Sequence, residues 1–470
     1  LSEREVIRDK IEARRARDSH PFCDVGNRRR GRNEGTAGPS IPPPMDCGPA
    51  RKTHCPSLCT SGSRGVTTTD QAVPPARKSG AVGLTFLFTG FIAAAYGFGV
   101  YLFPAVIPDM LAALSLNYGH AGTIMAASQA GFLIAALISG ILTNRIGASR
   151  LILLSMACCT LCLLLVPLTE GFTALAVVLF FTGAASASVW VPMVVVAKAL
   201  IPEAHQGKAL GLMSSGTAYG VFVNGSAIPV LLPAYGWQSV WFFVAALTGL
   251  LFVWGWYRLA GLEKTAGMRG AAGSAMERMD LRTLAQPAYL TVPAMMFLNG
   301  FSCMPAQNYL VAFVRDELGH GIDAAGDVWK VIGFIGMFGG FLMGILADKI
   351  TVKKALVLAY LLLGVSFAAF ADHRSLVVIY LGAALFGLAF NAIFGLIPAY
   401  VSLAYPTRAT ALIFGMGNVM LGLGAMTGNF LGGVLKDESG SFQQIYIVAL
   451  VSAAALIVLA IFLRRPGAAS

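Results

Sequence analysis

From about Val82 onward the chain is a succession of apolar runs, each near the roughly 20 residues an α-helix needs to cross a hydrocarbon layer about 30 Å thick. Twelve are read, over residues 83–107, 120–143, 150–168, 173–199, 209–232, 238–258, 288–312, 328–347, 354–371, 375–401, 410–434 and 444–463. A segment inside a bilayer has no water to satisfy its peptide groups, so such runs must be helices, whose hydrogen bonds stay within the segment. The expected fold class is therefore an all-α membrane protein with twelve transmembrane helices. Composition agrees: 56% of residues are hydrophobic and 12% charged, against about 25% charged in an average soluble domain.

The runs are duplicated. GILTNRIGASR at Gly140–Arg150 returns as GILADKITVKK at Gly344–Lys354, an interval of 344 − 140 = 204 residues. The same interval relates Gly183 to Gly387, Pro202 to Pro406, Gly211 to Gly415, Gly220 to Gly424 and Gly236 to Gly440. Glycine and proline persist because close helix approach and helix ends constrain the backbone more tightly than side-chain identity. A polar stretch over 259–286 divides six runs from six. The expected organisation is a six-helix half over 81–258, a linker over 259–286 and a second six-helix half over 287–465, related by pseudo-symmetry. Residues 1–80, with Arg, Gly, Ser and Pro clusters and no apolar periodicity, read as a disordered basic tail. That tail opens on Leu1 and lacks a charged start followed by a short apolar core and cleavage site, so it does not read as a secretory signal peptide.

Charge sets an orientation. With the N-terminus inside, fourteen Lys and Arg residues fall on the inner loops and C-terminus, among them Arg145, Arg150, Lys208, Arg258, Lys349, Lys353, Lys354 and Arg464, against Arg315, Arg374 and Lys436 outside. This asymmetry predicts both termini in the cytoplasm. Basic charge this sparse, spread between apolar segments, does not read as a nucleic-acid surface. The eight cysteines are split between the tail and the apolar runs and imply no disulfide framework. His54, Cys55 and Cys59 lack a second paired cluster, so no metal is expected. No GxxxxGK[ST], HExxH or GxSxG motif is present, and neither a cofactor nor an enzymatic reaction is expected.

At Gly140–Arg150 and Gly344–Lys354 the sequence resembles the loop signature of the major facilitator superfamily, G-x-L-A-D-R-x-G-R-R/K, placed after the second helix of each half. The resemblance implies a secondary transporter with two six-helix halves that rock about a central cavity. It implies gating roles for Gly140, Asn144, Arg145, Gly147, Arg150, Gly344, Asp348, Lys349 and Lys354. In that family the signature Asp sits beside the N-terminus of a helix in the opposite half, where a helix dipole favours a carboxylate. By position Asp348 would face the fifth helix near Lys208, and Asn144 the eleventh near Thr410. Asn144 stands where Asp is expected, and Ala148 and Ser149 where bases are expected, so closure at the inner end should be lopsided. The stretches YLVAFVRDELG (Tyr309–Gly319) and YPTRATALIFGMGN (Tyr405–Asn418) are similar to uncharacterised bacterial sugar-phosphate, arabinose-efflux and organic-anion permeases.

In such a transporter the cavity is lined by the first helix of each three-helix unit, here runs one, four, seven and ten. Their mid-span candidates are Tyr96, Tyr101, Ser188, Trp190, Asn299, Ser302 and Asn391, with Gln307 towards the outer end of run seven. Asn299 and Asn391 stand out because an amide in hydrocarbon needs a partner, supplied either by a solute or by another helix. Asn308, Gln129, Tyr219, Asn224, Asn418 and Asn429 are open to the same two roles. Lys330, three residues after Asp327, and Lys198 read either as snorkelling or, if they face the cavity, as selecting an anionic solute. No Asp or Glu lies mid-span, so no buried proton relay is visible.

The expected function is transport of a small organic solute, including an organic anion, by a monomer in a bacterial inner membrane, with the solute and the lipid bilayer as partners. Two alternatives stand beside it: an exporter or facilitator of uncharged or amphipathic compounds, suggested by Met295, Met296 and Met304 in run seven, and a non-transporting membrane sensor with the same fold.

Overall fold

The computed structural model describes residues 78–259, 287–372, 375–405 and 407–463; most of the expected tail and nearly all of the linker lie outside them. The described residues form helices and short turns without a strand. Ten helices are long and apolar enough to cross a membrane, and the remaining two expected runs, the first and the seventh, are helical but broken.

Helix α1 (Lys78–Ile92) runs into a π-helical turn at Ala93–Phe98, then α2 (Leu102–Ala105) and α3 (Ile107–Leu114). Gly99 N–H reaches back to Ala94 O at 2.9 Å and Tyr101 N–H to Tyr96 O at 3.1 Å, so the normal ladder slips by one residue. That slip frees the Gly97 carbonyl, which accepts from Asn224 Nδ2 at 2.8 Å. Gly97 is needed here: a Cβ on it would lie 2.4 Å from Gly220 Cα on the neighbouring helix. The π-turn thus has the cause such turns usually have, a close packing partner and a side chain that satisfies the released carbonyl.

The first half continues through α4 (Tyr118–Ile146), α5 (Ala148–Leu165), α6 (Phe172–Leu200), α7 (Glu203–Ser214), α8 (Gly216–Tyr235) and α9 (Trp237–Leu259). The second half opens with α10 (Pro287–Asn308), broken at Tyr309, then α11 (Leu310–Ala312) and a second π-turn at Phe313–Glu317. It closes with α12 (Ile322–Ile350), α13 (Val352–Asp372), α14 (Leu376–Ala404), α15 (Thr407–Ser439) and α16 (Gln443–Phe462). The first run of each half is thus interrupted by a π-turn, while the fifth run is divided at Ser215 between α7 and α8.

The duplication is legible in the backbone. Gly147 (φ 93°, ψ 147°) and Thr351 (φ 91°, ψ 146°) end α4 and α12 in the same conformation, 351 − 147 = 204 residues apart. Gly236 and Gly440, at the same interval, have φ of 80° and 73°. Inside the first half α4 packs on α6 and α6 on α5; inside the second, α12 packs on α14 and α14 on α13. The halves meet along two seams, α4 against α15 and α8 against α12, which the duplication exchanges for one another. Trp241, Trp329, Tyr309, Tyr360 and Tyr400 fill the core, while Leu137, Leu154, Leu161, Phe341, Val377 and Phe462 are exposed, as a lipid-facing surface requires.

Candidate functional site: a latched interface over an amide cluster

At the end of the bundle where α4 begins and α15 finishes, polar groups join the two halves. Asp437, near the C-terminus of α15, accepts from the backbone N–H groups of Tyr118 (3.1 Å) and Gly119 (2.7 Å) at the start of α4. A carboxylate at a helix N-terminus satisfies orphan donors and meets the positive end of the helix dipole. Asp109 on α3 holds Arg315 in a forked ion pair, Nη2 to Oδ1 at 3.0 Å and Nη1 to Oδ2. Burial lowers the Arg315 pKa, but the hydrogen bond and charge of Asp109 outweigh it and leave the guanidinium above its ordinary value. The Tyr118 hydroxyl donates to Asp316. Behind them Glu317 takes the N–H of Phe442 at 2.5 Å, the Ser441 hydroxyl at 2.6 Å and Lys436 Nζ at 3.3 Å, which stiffens the second half's side of the latch.

Backbones approach closely at the same level. A Cβ on Gly122 would sit 2.6 Å from Asn429 O, and one on Gly433 would sit 2.3 Å from Tyr118 O. At the opposite end the glycines face space: a Cβ on Gly140, Gly211, Gly344 or Gly415 would meet nothing within 4 Å. Arg145, Arg150, Asp348, Lys349 and Lys354 are exposed there, and Asn144 and Gly147 half-buried. Asp348 makes no hydrogen bond or ion pair among the described residues, Lys208 is exposed, and the Thr410 hydroxyl bonds to the Val401 and Tyr405 carbonyls of its own half. Among the described residues the expected contacts of Asp348 with Lys208 and of Asn144 with Thr410 are thus not made, and the conformation is latched at one end and open at the other.

Between the halves, directly under the latch, lies a small cavity lined by Gly99, Val100, Phe103, Met125, Ser128, Gln129 and Leu179 of the first half and by Asn308 and Asn429 of the second. Asn308 Nδ2 donates to Asn429 Oδ1 at 2.9 Å, and the Tyr309 hydroxyl donates to the Asn429 carbonyl at 2.8 Å. Among the described residues Asn308 Oδ1 and Asn429 Nδ2 have no partner, nor does Gln307 Oε1, which neighbours Asn308 on α10. Each such buried orphan costs about 1–3 kcal/mol unless something completes it.

None of the mid-span candidates is among the residues that line this cavity, and each packs or bonds elsewhere. Tyr101 reaches across the halves, its hydroxyl 3.6 Å from Met304 Sδ. Tyr96, in the π-turn, packs edge-on against Phe132 with centroids 5.8 Å apart. Ser188 accepts from Ser139 on α4 at 3.2 Å, and Trp190 packs against the core. Ser302 donates to Leu298 O in its own helix, and Asn299 Oδ1 accepts from Cys303. Asn391 donates to Gly387 O at 3.0 Å and lies over Gly336, where a Cβ would be 2.5 Å from its Nδ2. Lys330 is ion-paired with Asp327, its stem against Gly225; the Lys198 side chain lies outside those described. Met295, Met296 and Met304 are buried, Met296 Sδ filling the place a Cβ on Gly417 would take. Sequence reasoning read Arg315 and Lys436 only as loop charge, met Asp316 and Glu317 only inside the stretch likened to bacterial permeases, and passed over Asp109 and Asp437. Their positions in the first turn of α3, in the π-turn at Phe313–Glu317 and near the end of α15 were the available signal.

Two pseudo-symmetric helical halves around a small polar site define a multi-pass membrane transporter. The family model described as an uncharacterised MFS-type transporter YbfB matches residues 92–465, and the chain belongs to that family of major facilitator transporters. The chain is 25% identical over 274 residues to the sialic acid transporter NanX of Escherichia coli (strain K12), covering 55% of this chain and 64% of that one. It is 25% identical over 392 residues to a gallate transporter of Pseudomonas putida, covering 75% and 83%. The fold matches the crystal structure of a D-xylose-proton symporter with a TM-score of 0.67 at 12% identity, covering 82% of this chain and 98% of that one. The chain is accordingly a secondary transporter of small organic solutes and not an enzyme.

Proposed function

We propose that this monomeric transporter carries a small hydroxylated organic solute by alternating access, the halves at 81–258 and 287–465 rocking about the two seams. Its open end faces the cytoplasm of a bacterial cell and both termini lie on that side. The observation that carries the reading is the asymmetry of the two ends: ion pairs, a helix cap and glycine-tight backbone contacts at one, and empty space against Gly140, Gly211, Gly344 and Gly415 at the other. Arg145, Arg150, Lys349 and Lys354 stand exposed at the open end, which the positive-inside rule assigns to the cytoplasm. A relative named for sialic acid, another named for gallate and a fold neighbour named for D-xylose share hydroxylated solutes.

Sialic acid and gallate are also carboxylates, so an anionic solute stays within the reading, although Lys330, the cation singled out for that role, already pairs with Asp327. The amphipathic alternative rested on methionines that pack within the protein rather than line an open cavity. The direct test is uptake of sialic acid, gallate and D-xylose into proteoliposomes, with and without a pH gradient. Saturable uptake of at least one is expected; a folded, reconstituted protein that moves none of them contradicts the reading.

A further inference from the structure

Asn308 and Asn429 are 2% and 0% exposed, and both line the cavity under the latch. Their mutual hydrogen bond leaves one acceptor, Asn308 Oδ1, and one donor, Asn429 Nδ2, without a partner. Turning both amides over leaves the same inventory of one donor and one acceptor. The cavity is small, with room for a single water molecule. In the latched conformation a water can complete the pair.

Both amides belong to the second half. Gly424 and Gly428 bring α15 onto the backbone of Phe297 and Phe301 in α10, where a Cβ would lie 2.1 and 2.3 Å from the carbonyl oxygens, so the pair is held as one unit. The facing wall, Gly99, Ser128 and Gln129, belongs to the first half. Any separation of the halves at the latched end therefore widens the cavity and leaves the amide pair on one wall with Gln129 on the other. The chemistry offered is neutral. The cations near this end, Arg315, Lys436 and Lys330, are each ion-paired, with Asp109, Glu317 and Asp327. Paired amide donors and acceptors match hydroxyl groups, which both donate and accept.

We propose that the Asn308–Asn429 amide pair, with Gln129 opposite, is a solute subsite that reads the hydroxyl groups of a polyhydroxylated solute and is reached from the latched end when the latch opens. The subsite rests on the transporter reading above. A solute hydroxyl, which both donates and accepts, satisfies both orphan atoms at once, whereas a deoxygenated solute leaves them unpaired.

The test is proteoliposome uptake of D-xylose, sialic acid and gallate by the full chain and by Asn308→Ala, Asn429→Ala and Gln129→Ala. For each probe the unaltered protein carries, the amide variants should raise the half-saturation concentration about tenfold, the equivalent of 1.4 kcal/mol, with maximal rate little changed. A purely structural role would lower the maximal rate or the unfolding temperature instead. Discrimination should also collapse: the unaltered protein should prefer a carried probe to its deoxy analogue, and the variants should not. Should the two asparagine variants fail to reach the bilayer, Gln129→Ala, half-exposed on the other wall, is expected to shift half-saturation in the same direction. Unchanged half-saturation and intact discrimination in the variants that fold overturn the subsite while leaving the transporter reading in place. Absence of uptake by the unaltered protein overturns both.

Discussion

Asp437 accepts a 2.7 Å hydrogen bond from the backbone N–H of Gly119, tying the end of α15 to the start of α4 across the two halves. The residues are 437 − 119 = 318 positions apart, and the second oxygen of the same carboxylate takes the neighbouring N–H of Tyr118. The resemblance to the family signature implies a carboxylate at a helix N-terminus at the end of the repeated loops; here the same device closes the opposite end. Removing it in Asp437→Ala leaves two N–H groups uncapped, worth about 1–2 kcal/mol, so the ratio of latched to unlatched protein should fall about 5–30-fold. A cysteine at Ser128, which lines the cavity, should then react faster with an impermeant thiol reagent applied from the latched side. An unchanged rate would show that the cap carries no gating energy.

Glycine substitutions separate the two ends. In Gly433→Ala the new methyl would lie 2.3 Å from Tyr118 O, a backbone atom that cannot step aside. Overpacking of this kind costs about 1–3 kcal/mol, so the latch should open and transport should slow. In Gly344→Ala the methyl meets nothing within 4 Å in this conformation. Its unfolding temperature should hold or rise, since alanine favours a helix over glycine by about 1 kcal/mol. Its transport rate should nevertheless fall, because that face must close in the opposite conformation. Equal behaviour of the two variants in thermal unfolding would contradict the assignment of open and closed ends.

The forked pair of Asp109 and Arg315 gives a third test. Their side chains are 17% and 20% exposed, so the pair is shielded more than a surface bridge. Replacing Asp109 with Asn should weaken the latch and leave the guanidinium short of its partner, whereas the double variant Asp109→Asn with Arg315→Gln should recover part of the loss. A coupling of about 0.5–3 kcal/mol is expected in the double-mutant cycle, as for residues in direct contact, read as the population of reagent-accessible Ser128→Cys. Strict additivity would mean the pair is incidental.

Much of the fold was legible in the chain. Run length indicated the spanning helices, and the 204-residue interval anticipated the matched backbone of Gly236 and Gly440. The breaks in the first and seventh runs were not legible, because Tyr101 and Tyr309 carry no helix-breaking signature of their own. The first slips only because Gly97 meets Gly220 and Asn224 bonds the freed carbonyl, a tertiary contact between residues 224 − 97 = 127 apart. The latch was hidden for the same reason: local pattern marks Asp109 and Arg315 as loop charges and holds no information about their pairing across 206 residues. The amide cluster was half visible, in that Asn308, Asn429 and Gln129 could be named as polar residues in apolar runs, but not as facing one cavity.

Thr351 offers a fourth prediction. It repeats the φ of Gly147 at 91°, a region that β-branched residues avoid, and its side chain is exposed, so it gains no packing in return. Such strain amounts to about 1–3 kcal/mol. Thr351→Gly should raise the thermal unfolding midpoint, and Gly147→Thr should lower it. If Thr351→Gly leaves the midpoint unchanged, the positive φ carries no strain.

The repeated loops themselves differ by one charge, Asn144 against Asp348, and the open end of this conformation makes the difference testable. Neither residue closes anything here, since Asp348 is exposed and Asn144 is only half-buried. A carboxylate introduced at 144 therefore adds little to the present conformation and acts on the opposite one, where α4 and the N-terminus of α15 come together. A helix-terminal carboxylate is worth about 0.3–1 kcal/mol, so Asn144→Asp should shift the balance towards the form closed at the repeated loops about two- to fivefold. Asp348→Asn should shift it the other way by removing the one signature carboxylate present. The reporter is again Ser128→Cys, whose reactivity from the latched side should rise in Asn144→Asp and fall in Asp348→Asn. Shifts in the same direction for both variants would rule out a gating role for the duplicated loops and leave them as positively charged topology anchors.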